Sequence, residues 1–428
     1  MSGPRDLAEL EARAKAGDAQ AQYVLSAVLS RQGRKLDSRE WLRRAVAAGH
    51  PDALFTHATN VLNGLDGPRD LPRAEQMLRD AVAKGSQAAR RPLALISALG
   101  ITGKPDWLKA IELIVDAALA NHAPALRELG LLVEMAAPGD PRATLALLQA
   151  ARAGDGLAAF AIIRRSAKNA TGASPDELAP WSEGLRRNSH PLAHYLTAAS
   201  AASSAAPSTT LDRGTLLALL REPPGQSVPM RTEISESPRI LRIDKLMTAE
   251  ECEYVIGIAM PQLHASMVTN PATGQGMRVA ERSSSTASLA PLYQDLVLHC
   301  INLRLAAAAK LPYENGEMLS ILRYEPGQEY TPHFDFLGSK NDPAAQFETA
   351  GQRVRTLLVY LNTDYDGGET EFLSHRLKVK GNVGDGVLFH NVDAAGNPDL
   401  SSRHAGLPVT QGTKWLASKW FRERAYRI

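Results

Sequence analysis

The chain has 428 residues, with 48 basic and 46 acidic side chains and a formal net charge of +2. That length exceeds one ordinary core and calls for two or three domains, and the charge balance argues against nucleic acid or membrane as a partner. No apolar run is long enough to span a bilayer, and the polar start MSGPRDLAELEARAKAGDAQ lacks the apolar stretch of a secretion signal. The only cysteines, Cys252 and Cys300, lie in apolar helical patterns. They are expected as buried free thiols of a cytoplasmic protein rather than as a disulfide.

Residues 1–200 repeat. Gly17, Gly49, Gly85, Asn121, Gly154 and Ser189 are spaced by 32, 36, 36, 33 and 35 residues. Four residues after each marker stands an alanine: Ala21, Ala53, Ala89, Ala125, Ala158 and Ala193. Four before the middle markers stand Ala45, Ala81, Ala117 and Ala150, and seven before them Leu42, Leu78, Ile114 and Leu147. Gly or Asn suits the left-handed turn that ends a helix; small alanines let helices approach, and aliphatics fill the space between pairs. The pattern predicts stacked helical hairpins, an α-helical solenoid. AGDAQAQYVLSAVLSRQG and AAGHPDALFTHATNVLNG resemble Sel1-like repeats of the tetratricopeptide class, over about six units. Such arrays present grooves to peptides or proteins, so recruitment of a partner is expected. His50, His57, His122, His190 and His194 fall inside the pattern without a metal-binding spacing and are expected to pack or be solvated.

Composition changes at TAASAASSAAPSTT, and REPPGQSVPM bars regular structure. Residues 201–236 are therefore expected as a linker, with one short amphipathic helix over 211–221. From 237 to 428 a second domain is expected. Pro238–Ile243 reads as an entry strand, and Thr248 with Glu251 makes a capping box for a helix. VTNPATGQGM (268–277) reads as a mobile loop, a candidate lid over substrate, and a second helix is expected over about 289–310. Short strand signals then dominate: 317–324, 354–362, 367–372, 387–390 and 414–421. Many short strands with turns predict a two-sheet jelly roll, or double-stranded β-helix, with flanking helices. The fold class is multidomain α + β.

Chemistry concentrates between Tyr324 and Trp420. His333 and Asp335 are two apart, and on a strand that spacing puts both side chains on one face. A third ligand from a distant strand would complete a two-histidine, one-carboxylate face that holds iron(II) and leaves positions open. His404 is preferred to His375 and His390, because the turn-like LPVTQGT between His404 and Lys414 brings a lysine near the same metal. That lysine suits the far carboxylate of an iron-bound dicarboxylic acid. Lys414, Leu416, Ser418 and Trp420 share a strand face; Tyr324 and Tyr360 can offer hydroxyls, and Thr356 and Thr370 can line the acid. His390, beside Asn391, is a candidate for the substrate pocket.

The blocks RYEPGQEYTPHFDF, AGQRVRTLLVYLN, GGETEF, GDGVLFHN, SSRHAGLPVTQGTKW and SKWF occur in order across 237–428. Together they resemble the prolyl 4-hydroxylase family of 2-oxoglutarate, iron(II)-dependent dioxygenases. The resemblance implies His333, Asp335 and His404 as iron ligands, and Lys414 with Tyr324 at the 5-carboxylate of 2-oxoglutarate. It implies Tyr330, Arg353 and Trp420 at the substrate, O2 as oxidant and ascorbate as reductant; Tyr360, Thr370 and Ser418 are expected around the co-substrate from their strand positions. Arg422 departs from the family, many members of which carry histidine there. The expected activity is hydroxylation of peptidyl proline at C4, with 2-oxoglutarate converted to succinate. A hydroxylase of a free amino acid or small metabolite, and a non-catalytic helical-repeat adaptor, are the alternatives.

Overall fold

The computed structural model describes residues 4–65, 67–167, 170–188, 192–193, 196, 208–266, 268–269, 276–277, 283–290, 294–338 and 349–426. The chain forms two compact units. One gathers Met1–Ile162, Asn169–Ala173 and Ser203–Pro224; the other gathers Ile163–Lys168, Ser174–Ala202 and Gly225–Ile428. Among the described residues, no helix is long and apolar enough to cross a membrane.

The first unit is built of helices α1 (Pro4–Lys15), α2 (Ala19–Arg31), α3 (Lys35–Ala47), α4 (Pro51–Asn63) and α5 (Leu71–Ala83). It continues through α6 (Arg90–Leu99), α7 (Trp107–Leu119), α8 (Ala123–Ala136), α9 (Pro141–Arg152) and the start of α10 (Gly156–Ser166). Each helix packs against the next in the chain. The markers sit at the turns: Gly17, Gly49, Gly85, Gly154 and Asn121 all have positive φ, from 60° at Asn121 to 100° at Gly85. A side chain with a Cβ is strained there, which explains why glycine, or asparagine once, holds the position. The residue after the marker caps the next turn. Asp18, His50, Ser86 and Asp155 each accept from the N–H of the alanine three residues on, at 3.0, 3.2, 3.3 and 2.9 Å. His50 is thereby a capping residue; its other ring nitrogen meets Gln20 at 2.8 Å. Ala45, Ala81, Ala117, Ala150, Leu78, Ile114 and Leu147 are fully buried. The marker Ser189, with His190 and His194, lies outside the described residues.

Helix α11 (Pro175–Arg187) belongs to the second unit, and the short α12 (Arg213–Leu219) to the first. The second unit continues with strands β1 (Arg231–Glu236) and β2 (Arg239–Ile243), helix α13 (Ala249–Ala259), β3 (His264–Ala265), β4 (Val268–Thr269), β5 (Gly276–Met277), β6 (Ser285–Leu289) and helix α14 (Leu296–Ala309). Then follow β7 (Leu319–Tyr324), β8 (Tyr330–His333), β9 (Arg353–Tyr360), β10 (Tyr365–Gly367), β11 (Thr370–Phe372) and β12 (Leu377–Val379). The last are β13 (Gly386–His390), β14 (His404–Gly406), β15 (Val409–Gly412) and β16 (Lys414–Arg422). The Thr248–Glu251 capping box forms in both directions. Cys252 and Cys300 are buried free thiols, as expected. Most of the candidate lid, between β4 and β5, lies outside the described residues.

The strands form the expected jelly roll. An eight-stranded sheet has the order β1-β2-β13-β9-β16-β7-β6-β3, and a four-stranded sheet the order β12-β11-β14-β8. The core lies between them: Leu322, Tyr324, Leu358, Tyr360, Val387, Phe389 and Leu416 from the large sheet meet Phe372 and Val379 from the small one. Period-two alternation sends the other set outward, where α13 and α14 pack on β6, β7 and β9.

Candidate metal centre and its cleft

The small sheet brings the two histidines together. β14 pairs antiparallel with β8, and His404 is directly opposite His333. On its other side His404 is opposite Phe372. Asp335 lies just beyond the end of β8, in a bend, rather than on the strand. Its carboxylate nevertheless reaches both rings: Oδ1 is 3.7 Å from His333 Nε2, and Oδ2 is 3.6 Å from His404 Nε2. One ligand atom from each of the three residues lies within 4.8 Å of the others.

Both imidazoles are oriented by backbone. His333 Nδ1 donates to the Thr331 carbonyl at 2.8 Å, and His404 Nδ1 to the Ser402 carbonyl at 3.0 Å. A carbonyl can only accept, so each Nδ1 carries a proton and Nε2 is the nitrogen turned toward Asp335. Tyr330 stacks on His333 at 3.5 Å between centroids, and Phe389 packs against His404 at 4.7 Å. Asp335 accepts from the Thr356 hydroxyl at 2.8 Å. Burial pushes its carboxyl up, but His404, His333, Arg353 and that hydrogen bond outweigh burial and hold it below the usual carboxylate range. Two carbonyl-oriented imidazoles and one buried, hydrogen-bonded carboxylate are a donor set suited to a borderline divalent ion such as Fe(II).

A narrow cleft opens beside this set. From β16 it is lined by Lys414, Leu416, Ser418 and Trp420, the single face that alternation predicts. Tyr324, Tyr330 and Thr370 also line it. Lys414 is opposite Tyr324 in the β7–β16 ladder. Its ammonium donates to the Gly368 carbonyl at 2.6 Å and lies 5.2 Å from the Tyr324 ring centre. Burial pushes Lys414 down to about 7; Glu369 opposes this and Lys380 adds to it. Gly368 has φ of +66°, and a Cβ there would come within 3.1 Å of Lys414 Cδ.

Two residues differ from expectation. His390 does not line the cleft. Phe389 faces His404, so the next residue on β13 faces the opposite side of the sheet, where Arg355 and Arg239 act on it. Burial and those cations push His390 down to about 4. Tyr360 is buried but does not line the cleft, because its hydroxyl donates to the Val379 carbonyl at 2.9 Å and contacts Thr370 at 3.2 Å. Arg353 stands one layer back, with its guanidinium 4.4 Å over the Trp420 ring and bonded to Glu317 at 2.6 and 2.8 Å. Glu317 also pairs with the buried Arg422 at 2.6 Å. Burial raises the Glu317 carboxyl, and the two guanidiniums outweigh it and hold it low. His375 is exposed and bonds the Ser237 carbonyl, away from the set.

Sequence reasoning assigns no role to Glu317, Gly368 or Asn391. Only Asn391 carries a usable signal: counted in twos from inward Phe389, it falls on the inner face, and His390 does not.

Comparisons agree with this geometry. A family model described as the 2OG-Fe(II) oxygenase superfamily matches residues 319–422. Prolyl 4-hydroxylase 1 of Arabidopsis thaliana is 37% identical over 206 residues, covering 45% of this chain and 71% of that protein. The chain belongs to the prolyl 4-hydroxylase family of 2OG-Fe(II) oxygenases. It is a 2-oxoglutarate- and Fe(II)-dependent dioxygenase. Another relative, prolyl 4-hydroxylase subunit alpha-1 of Mus musculus, is 36% identical over 190 residues, 44% of this chain and 35% of that one. Among solved structures, viral collagen prolyl hydroxylase from Paramecium Bursaria Chlorella virus-1 aligns with TM-score 0.34 and 25% identity, covering 43% of this chain and 95% of that chain. A Sel1 repeat protein from Oxalobacter formigenes aligns with TM-score 0.36 and 24% identity, covering 42% and 78%.

Proposed function

We propose that this dioxygenase hydroxylates peptidyl proline at C4, with decarboxylation of 2-oxoglutarate to succinate. The observation that carries the reading is the convergence of His333, Asp335 and His404 on one point, with a buried lysine in the same cleft. His333, Asp335 and His404 would hold Fe(II). When bound, the ion and 2-oxoglutarate supply the activation of O2 that a C–H hydroxylation needs, with ascorbate as the reductant. Lys414 would pair with the far carboxylate of 2-oxoglutarate, helped by Tyr324, Thr370 and Ser418. Binding a dianion beside Lys414 compensates the burial that otherwise disfavours its charge. Leu322, Leu358 and Leu416 keep that end of the cleft apolar and exclude water. Tyr330 and Trp420 line the substrate side, and Arg353 acts by holding Trp420 in place.

The helical array would recruit the peptide or protein that carries the proline. Two buried thiols at Cys252 and Cys300 support a reducing compartment, the cytoplasm. The test is incubation of proline-containing peptides with the protein, Fe(II), 2-oxoglutarate and ascorbate. One oxygen should be gained on proline for each succinate released. Succinate release stimulated only by free amino acids, with no oxygen gained on any peptide, would replace peptidyl proline as the substrate class.

A further inference from the structure

Asp335 carries the one negative charge of the proposed metal set, and what holds it is a buried relay. Asp335 is 6% exposed, and Thr356 and Asn391 are 0% exposed. Thr356 Oγ1 donates to Asp335 Oδ2 at 2.8 Å, and Asn391 Nδ2 donates to Thr356 Oγ1 at 2.9 Å. The direction of this chain is determined by the inventory of its groups. A carboxylate only accepts, so the single hydroxyl hydrogen of Thr356 is committed to Asp335. With that hydrogen committed Oγ1 can only accept from Asn391, so Asn391 presents its Nδ2 and not its Oδ1.

Asn391 is itself anchored by backbone. Its N–H donates to the Val354 carbonyl at 3.0 Å, and its carbonyl accepts from the Asp399 N–H at 3.0 Å. Thr356 sits in the middle of β9, opposite Trp420 on β16 and Phe389 on β13. A β-branched residue on a central strand has little rotamer freedom, so its hydroxyl is aimed before any ligand arrives. Asp335 has no such support of its own, because it stands in a bend past the end of β8. The two histidines are aligned through carbonyls two residues before them, whereas the carboxylate is aligned across the interior from the other sheet.

We propose that Thr356 and Asn391 are positioning residues for the metal centre: the relay Asn391→Thr356→Asp335 fixes the rotation of the Asp335 carboxylate and thereby sets metal affinity. This rests on the assignment of His333, Asp335 and His404 as the Fe(II) site. Outer hydrogen-bond partners of metal ligands are worth about 10–100-fold in affinity where such effects have been measured.

The experiment measures the Fe(II) dissociation constant of the full chain by anaerobic equilibrium dialysis, with the melting temperature of the metal-free protein as the control for folding. Thr356→Val keeps the shape and removes the hydrogen-bond donor; it should weaken Fe(II) by about 10–100-fold. Thr356→Ser restores the hydroxyl and should recover most of that loss. Asn391→Ala removes the donor to Thr356 Oγ1 but leaves the Thr356 side chain held by its strand, and should give a smaller weakening in the same direction. Equal Fe(II) affinity in wild type and Thr356→Val, with both folded, overturns the relay while leaving the metal site intact. Equal loss in Thr356→Val and Thr356→Ser overturns it as well, since packing rather than the hydroxyl would then be responsible. Absence of Fe(II) binding by the folded wild type overturns the metal assignment itself, and the relay with it.

Discussion

Ala117 in the helical array and His404 in the jelly roll are both buried, yet they are specified in different ways. Ala117 is one of a series: Ala45, Ala81 and Ala150 hold equivalent places, each four residues before a turn, and each fully buried. Its environment is repeated along the chain, and its partners come from neighbouring helices. His404 has no equivalent. It is opposite His333, seventy-one positions earlier in the chain, and its neighbour in the cluster, Asp335, is bonded to Thr356 on the other sheet. Redundant local packing spreads the consequence of a change over one repeat, whereas a converging site concentrates it in a few atoms.

The sharpest way to expose that difference is removal of a ligand. His333→Ala should abolish Fe(II) binding and succinate formation while leaving the melting temperature of the metal-free protein near wild type. Retained stoichiometric Fe(II) in that variant would show that the site is not the one described. Next in size is Lys414→Ala. Loss of one partner of a buried charge pair costs about 2–5 kcal/mol, so the KM for 2-oxoglutarate should rise by at least about tenfold with Fe(II) affinity little changed. An equal fall in Fe(II) affinity would mean that Lys414 supports the fold of the cleft rather than the co-substrate.

The same lysine predicts a pH dependence. Burial pushes both Lys414 and Lys419 down to about 7. Between about 7 and the ordinary lysine value near 10, the unfolded chain therefore binds more protons than the folded one. Stability of the ligand-free protein should rise with pH across that window. In the proposed pairing of Lys414 with 2-oxoglutarate, binding of the co-substrate has the opposite sign, because that pairing requires the protonated amine. Its dissociation constant should weaken as pH rises above 7, by up to about tenfold per unit, and Lys414→Met should flatten the profile. A profile unchanged in Lys414→Met would assign the titration elsewhere.

In the array the effects should be smaller and local. Ala117→Leu overfills a closed helix contact and should cost about 1–3 kcal/mol of array stability. Turnover of a short peptide should persist at temperatures where the variant is folded. Asp155→Ala removes the cap on the Ala158 N–H and the partner of Arg127, and should cost about 1 kcal/mol or somewhat more. If either change stopped turnover of short peptides, the contrast between a redundant array and a concentrated site would fail.

Much of the fold and of the site is legible in the sequence, for reasons tied to period and spacing. Helical hairpins recur because turn, cap and packing position return together every few dozen residues, so Gly49, His50 and Ala53 repeat as a group. Alternation along β16 puts Lys414, Leu416, Ser418 and Trp420 on one face, and the structure lines the cleft with all four. The same rule on β13 turns His390 outward and Asn391 inward, although the histidine is the more conspicuous of the two. The strand argument for His333 and Asp335 names two residues that do come together, but through an imperfect premise, since Asp335 lies past the strand end.

By itself, then, the order of residues determined what repeats, which side chains share a strand face, and which chemical groups are available to a metal. Those depend on periodicity and composition, which are properties of the chain alone. Only the tertiary structure decided that His404 is opposite His333, that Thr356 and Asn391 hold Asp335 from the other sheet, that Tyr360 spends its hydroxyl on Val379, and that Glu317 gathers Arg353 and Arg422 behind Trp420. Each of these is a meeting of segments far apart in sequence. Strand register and the packing of two sheets select such partners, and no local pattern in the chain encodes them.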